Sequence, residues 1–258
     1  MDVRQNAAAY AEGHLRGAIH ADLNRQLSTA TDAGFDAAHG GRHPLPPLDR
    51  FLQQLGSWGI DRTTHVVLYD DQSGGNAATR LWWMLRAVGH EHVSLIDGGF
   101  QAAVVAGIEV TSEVVHPLQK PPYPADGWRL PVVDLAKVDE LRTRGDWKVL
   151  DVRSRERFRG DTEPFDPVAG HIPGAVNLPY PENLEGNRFK PAEALRAQYL
   201  ALLGGTPPER LVVHCGSGVT ACHTLFALEL AGLSGASLYV GSWSEWCRNE
   251  VPQATGTI

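Results

Sequence analysis

Short runs of aliphatic and β-branched residues alternate along this chain with stretches whose apolar positions recur at helical spacing. In the C-terminal half, WKVLDV, GAVNLP, RLVVHC and ASLYVG are largely apolar and bounded by Gly, Pro or Asp, which predicts strands buried on both faces. VDLAKVDELRTR places Val138 and Leu141 on one face of a predicted helix. Further helices are predicted over 192–203 and 220–232, the second closed by Gly232. Alternating strands and helices mean an α/β fold, a mostly parallel sheet flanked by helices on both faces.

The pattern occurs twice. EGHLRGAIHADL near residue 13 resembles AGHIPGAVNLPY near 170, HVVLYDDQ resembles LVVHCGSG, VSLIDGGFQA resembles ASLYVGSWSE, and MDVR at the start resembles LDVR at 150–153. The matches keep their order over about a hundred residues, too long a period for a solenoid, so they predict two copies of one domain. The expected division is 1–109, a linker over 110–131 and 132–258. The linker carries prolines at 117, 121, 122, 124 and 131, which predicts extended chain without a helix. The second copy has a helix and half a strand before its DVR, whereas the first begins at MDVR. The first domain therefore reads as clipped by roughly one helix and part of a strand.

Composition narrows the function classes. Lys+Arg 23 against Asp+Glu 30 gives a net charge of -7, with neither a basic run nor a basic tail, which speaks against nucleic acid or an anionic membrane as partner. No apolar run approaches the roughly 18 residues of a membrane span, and the N-terminus lacks the apolar centre of a secretory signal. Three cysteines without a CxxC pair suggest neither a disulfide framework nor a zinc site, so no metal or cofactor is expected. A reducing, cytoplasmic location fits, with a thiol free for chemistry.

That thiol is Cys215, at the end of a predicted strand and followed by Gly216, Ser217, Gly218, Val219 and Thr220. Ligands of parallel sheets bind at the carboxyl ends of strands. Two glycines allow the positive φ angles and close approach with which successive backbone N–H groups converge on one sulfur. A helix opening near Thr220 adds its positive end. These features would lower the thiol's pKa and stabilise an anion on it, a nucleophile site built from backbone. The competing readings are a small buried core cysteine and an ordinary phosphate-binding turn.

HCGSGVTAC, with DVRSRERFRG, GHIPGAVN and GSWSEW, resembles the catalytic domain of the rhodanese-type sulfurtransferases, and the tandem arrangement covers essentially the whole chain. The resemblance implies two rhodanese-like domains, the N-terminal one inactive, with Asp70 in the cysteine's place. It implies that Cys215 attacks the sulfane sulfur of a small donor and becomes a persulfide. A thiol, thioredoxin among the candidates, or cyanide then removes the outer sulfur. Neutral Gly216 and Ser217, where thiosulfate-preferring members carry Arg and Lys, favour 3-mercaptopyruvate. Thiosulfate:cyanide transfer and a non-catalytic persulfide carrier are the alternatives.

By the same resemblance Arg157 holds the donor's carboxylate. The family's second arginine would lie in DTEPFDPVAGH, which has Phe165 and Asp166 instead, so Arg159, Arg188 or Arg248 is left to supply the charge. Ser217 would join a proton relay with His43 and an acid, where Asn24 stands and Asp22 is near. Trp243 is placed at the mouth of the site, with Cys247 nearby, and Cys222 is read as packing. A phosphatase of this fold would need an arginine six residues after the cysteine, where Ala221 stands. A nucleotide site would want a Walker lysine, which the loop lacks.

Overall fold

The computed structural model describes residues 1–75 and 77–256. Two compact units emerge: Met1–Asp32, Leu45–Arg129 and Gly186–Phe189 form one, and Ala33–Pro44, Leu130–Glu185 and Lys190–Ile258 form the other. Each unit thus takes a short segment from the opposite half of the sequence.

The first unit contains α1 (Ala7–Glu12), β1 (His14–Leu15), α2 (Leu48–Ser57), β2 (Val66–Leu68), α3 (Ala78–Ala87), β3 (Val93–Leu95), α4 (Gly99–Val105) and β4 (Val110–Thr111). Strands β2 and β3 run parallel, with Val66 opposite Val93. Asp2 extends this pairing through parallel bridges to Tyr69 and His20. Helix α3 is buried almost throughout, Trp82 and Trp83 included, as its apolar sequence requires. The proline-rich segment forms no helix, yet it is packed and not a free spacer. Tyr123 is 2% exposed, its amide donates to Leu52 O, and Trp128 stacks between Phe51 and Trp83 at 5.5 and 6.2 Å. Packing of these large rings fixes the segment.

The second unit contains β5 (Val132–Val133), α5 (Leu135–Leu141), β6 (Lys148–Asp151), α6 (Arg155–Arg159), β7 (Val176–Asn177), α7 (Ala192–Leu203), β8 (Leu211–His214), α8 (Thr220–Leu230), β9 (Ser237–Tyr239) and α9 (Ser242–Trp246). Five of its strands form one parallel sheet in the order β5-β9-β8-β6-β7. Helix α5 is shorter than its periodicity suggests because Asp134 caps it, accepting from Lys137 N at 2.8 Å. Alternation in β8 turns Val212 and His214 to one face. Val212 meets Val138, Leu141, Val149, Ile172 and Trp246 there in one buried cluster.

The repeat is visible in detail. Asp2 and Arg4 pair at 2.6 Å, with Arg4 Nη2 donating to Gly13 O. Asp151 and Arg153 pair at 2.6 Å, with Arg153 Nη2 donating to Gly170 O. His14 stacks on Tyr10 at 4.0 Å as His171 stacks on Phe158 at 3.9 Å. The units differ at one seam. In the second, Gly174 lies against the Arg142 carbonyl that ends α5, 2.9 Å from where a Cβ would stand, whereas the matching Gly17 has nothing within 4 Å. Gly17 lines a cavity of about 390 Å³ together with Leu15, Ile60, Val66 and Ile108.

Candidate active site

Cys215 follows the last residue of β8 and is 1% exposed. Its backbone is held from both ends. The amide donates to Ser242 Oγ at 3.1 Å, and the carbonyl accepts from Trp243 N at 3.0 Å. Ser242 adopts a left-handed φ of 54° while its hydroxyl donates to Tyr239 O at 2.9 Å. Such a backbone costs about 1–3 kcal/mol and persists where its surroundings over-determine it.

The loop then turns back on the sulfur, and Ser217 N donates to Cys215 Sγ at 3.4 Å. Gly218 has a φ of 73°, and a Cβ there would stand 2.4 Å from Val240 O, so only glycine fits. Gly216 serves differently from the expectation of a second positive φ. It has an ordinary φ, and its missing Cβ makes room for two guanidinium groups: Arg157 Nη2 and Arg42 Nη2 lie 3.0 and 3.2 Å from where that Cβ would be. Val219, which caps α8, is buried, and Thr220 is the helix's first residue. Cys222 Sγ donates to Gly218 O at 3.4 Å and braces the turn from within α8.

Around this loop runs a chain of alternating charges. Asp151 pairs with Arg153 at 2.6 Å, Arg153 with Glu163 at 3.2 Å, Glu163 with Arg157 at 2.8 Å and Arg157 with Asp166 at 3.8 Å. Asp166 in turn holds Arg42, and Arg248 at 2.8 Å. Four arginines against three acids leave this chain of ion pairs with one net positive charge beside the loop. Burial alone would raise the Asp166 carboxyl, but hydrogen bonds and charge from Arg248 and Arg42 hold it below the usual carboxylate range. Asp151 is likewise held low by Arg153 and His214 against its burial. The Phe165 ring stands beside both guanidiniums, 5.3 Å from Arg42 and 5.1 Å from Arg157, and is 63% exposed.

Several expected residues fall elsewhere. Trp243 does not line the site. Its side chain is fully buried, the indole donates to Val168 O at 2.9 Å, and Arg153 lies over the ring at 4.8 Å. Its amide, not its indole, serves Cys215, because the turn into α9 points the ring into the core. His43 lies half-buried next to Arg42, in the 33–44 segment of the second unit. Asp22 caps its own turn, accepting from Asn24 N and Arg25 N. Arg159 pairs with Glu156 and Asp161, and Arg188 belongs to the first unit. Arg248 does reach Asp166. Arg42, absent from the sequence-based candidates, lies 124 positions before Asp166, and local patterning carries no sign of that contact. Cys247 is buried, and its thiol is raised by burial and by nearby Asp166.

The corresponding loop of the first unit shows what this turn holds. Asp70 Oδ1 accepts from Gln72 N at 2.9 Å and Gly74 N at 2.8 Å, and Oδ2 accepts from Ala78 N at 3.2 Å. A carboxylate sits in a cradle of amides where the second unit has its sulfur. Among the described residues, no three His, Cys, Asp or Glu side chains come together as a metal site, and no helix is long and apolar enough to cross a membrane.

Comparison with known proteins agrees with this architecture. The rhodanese-like domain family matches residues 1–105 and again 134–249. A Pseudomonas aeruginosa protein named "Probable 3-mercaptopyruvate sulfurtransferase" is 43% identical over 262 residues, covering 99% of this chain and 89% of its own. The bovine thiosulfate sulfurtransferase is 34% identical over 97% of this chain and 82% of its own. Among solved structures, the 3-mercaptopyruvate sulfurtransferase from Leishmania major superposes with a TM-score of 0.82 at 31% identity, covering 96% of this chain and 69% of that one. With two rhodanese-like domains and homologues that transfer sulfur along nearly its whole length, the chain belongs to the rhodanese-like family and is a sulfurtransferase.

Proposed function

We propose that the chain moves sulfane sulfur from 3-mercaptopyruvate to a thiol through a persulfide on Cys215. One observation carries the choice of donor: Arg42 and Arg157 converge on Gly216, while the loop residues after the cysteine, Gly216 and Ser217, are neutral. Two guanidiniums side by side suit a planar carboxylate. Their place beside Gly216 leaves the mercapto end of such a donor free to reach Sγ.

In the first half-reaction the Cys215 thiolate attacks the donor's sulfur. The S–S bond forms as the C–S bond breaks, and the electron pair stays on carbon, which takes the thiol's proton to give pyruvate. The outer sulfur of the resulting persulfide anion is held by the loop amides from Ser217 through Gly218, Val219 and Thr220. Two equivalents of thiol then return the thiolate, giving hydrogen sulfide and a disulfide. His43 and the Ser217 hydroxyl, beside this path, serve to polarise the donor's keto group. A small protein thiol of the thioredoxin kind is the acceptor we favour. Three cysteines, all free thiols, suit the cytoplasm.

The test is a donor assay with purified protein. Release of pyruvate from 3-mercaptopyruvate with dithiothreitol, abolished by Cys215→Ser, supports the reading. Faster turnover of thiosulfate with cyanide moves the assignment to that donor, and no turnover of either leaves a persulfide carrier.

A further inference from the structure

His214 is fully buried at the end of β8, directly before the nucleophile. Its Nδ1 lies 3.2 Å from the Cys215 carbonyl oxygen. A carbonyl oxygen only accepts, so Nδ1 carries the ring's proton. In the neutral ring Nε2 is then a bare lone pair. It has no hydrogen-bond partner and stands 3.8 Å from Asp151 Oδ2. The parallel register places His214 directly opposite Asp151 on the same face of the sheet. Two acceptors therefore face each other in the interior, one proton short of a hydrogen bond.

The first unit fills the same place with a donor. Tyr69 pairs across the sheet with Asp2 as His214 does with Asp151; its hydroxyl accepts from Leu15 N at 3.0 Å and keeps its own proton, because burial and the Asp2 charge raise the phenol. Asp2 and Asp151 are otherwise bound alike, each gripped by the arginine two residues on. What distinguishes the second unit is a side chain that supplies the donor only when protonated.

We infer that His214 is a positioning residue for Cys215, and that His214 and Asp151 form a buried proton-binding site coupled to the nucleophile's loop. Taking up the proton joins Nε2 to Asp151, strengthens the Nδ1–H bond to the Cys215 carbonyl and sets a positive charge one residue behind the sulfur. Asp151 draws the proton in by charge and the Cys215 carbonyl by its hydrogen bond, while the Tyr239 ring at the end of β9 stands 6.3 Å away. Arg153 and His171 oppose it by charge, and burial, the largest influence, keeps the imidazole below its usual value. The site is therefore empty of that proton at neutral pH and fills as the medium turns acid.

The inference takes Cys215 as the nucleophile, as proposed above, but its test needs no sulfur donor. In ¹⁵N-histidine spectra of the whole chain, His214 should show Nδ1 protonated and Nε2 bare at pH 7.5. Nε2 should titrate below pH 6.5, and the titration should shift when Cys215 is alkylated. A neutral probe, iodoacetamide, should meanwhile label Cys215 with a second acid-side inflection, a several-fold departure from simple thiol titration. His214→Phe should erase this inflection, and so should His214→Tyr, which restores the donor seen in the first unit. An Nε2–H tautomer, or a His214 titration indifferent to Cys215, overturns the inference on the wild-type protein even if the variants fail to fold. Absence of labelling at Cys215 would instead count against the proposed function.

Discussion

Arg157 and Glu163 are locked fork to fork: Nη2 meets Oε1 at 2.8 Å while Nε meets Oε2 at 3.1 Å, with the glutamate side chain 2% exposed. Glu163 also takes Arg153, so one buried carboxylate orients both the arginine beside the loop and the one behind it. Replacing Glu163 by Gln leaves two guanidiniums short of a counter-charge. The expected result is a loss of about 3 kcal/mol in urea unfolding and a raised KM for an anionic donor, with sulfur transfer from preformed persulfide to dithiothreitol little changed.

Arg42 supplies a second guanidinium at the same point. Arg42→Ala should raise KM for 3-mercaptopyruvate about ten- to a hundredfold, the loss of a charge-assisted hydrogen bond worth ~1.5–3 kcal/mol. Arg42→Lys should recover only part, because a point charge cannot present a fork. Steady-state kinetics at fixed ionic strength decide it, and an unchanged KM would remove Arg42 from donor binding.

The two loop glycines should fail in different ways. Gly216→Ala pushes a methyl against both guanidiniums and should cut kcat/KM by about a hundredfold through misplacement alone, with thermal stability nearly unchanged. Gly218→Ala meets the Val240 carbonyl at 2.4 Å in a left-handed backbone and should lower stability by upwards of about 1–3 kcal/mol. Circular-dichroism melts beside donor kinetics separate the two.

Asp166 predicts the acid limb of stability. Its folded carboxyl is held below the usual carboxylate range by Arg248 and Arg42, against its burial, so the unfolded chain binds its proton first as pH falls. The pair's contribution is fully present above the unfolded value and is lost below it, as pH falls toward the folded one. Asp166→Asn should therefore unfold more readily at pH 6 yet lose less stability between pH 4 and 3 than the wild type, as read from urea midpoints.

Cys247 is the control thiol. Burial raises it and Asp166 adds to the effect, so it should resist iodoacetamide at neutral pH. Cys247→Ser should leave donor turnover unchanged.

What sequence could show was what lies close along the chain. The cradle around Cys215, the Asp-Val-Arg turn and the duplicated order of elements are each contiguous, so residue type and spacing carry them. In the sequence Asp166 marks only the absence of an arginine, yet it organises Arg42 and Arg248, and that pairing depends on a segment of the first half lying in the second unit. The motif around Trp243 fixes the turn but not the ring, which is buried after the left-handed Ser242. Along the chain His214 is one more residue of a buried strand, and the register opposite Asp151 singles it out.

Asp70 carries a last consequence. Its side chain accepts from the amides of Gln72, Gly74 and Ala78, in the turn where the second unit points the Ser217 amide at its sulfur. An anion entering such a turn would have to displace a carboxylate that is covalently part of the chain. The same turn thus occurs twice in one chain, once wrapped around a carboxylate and once around a sulfur.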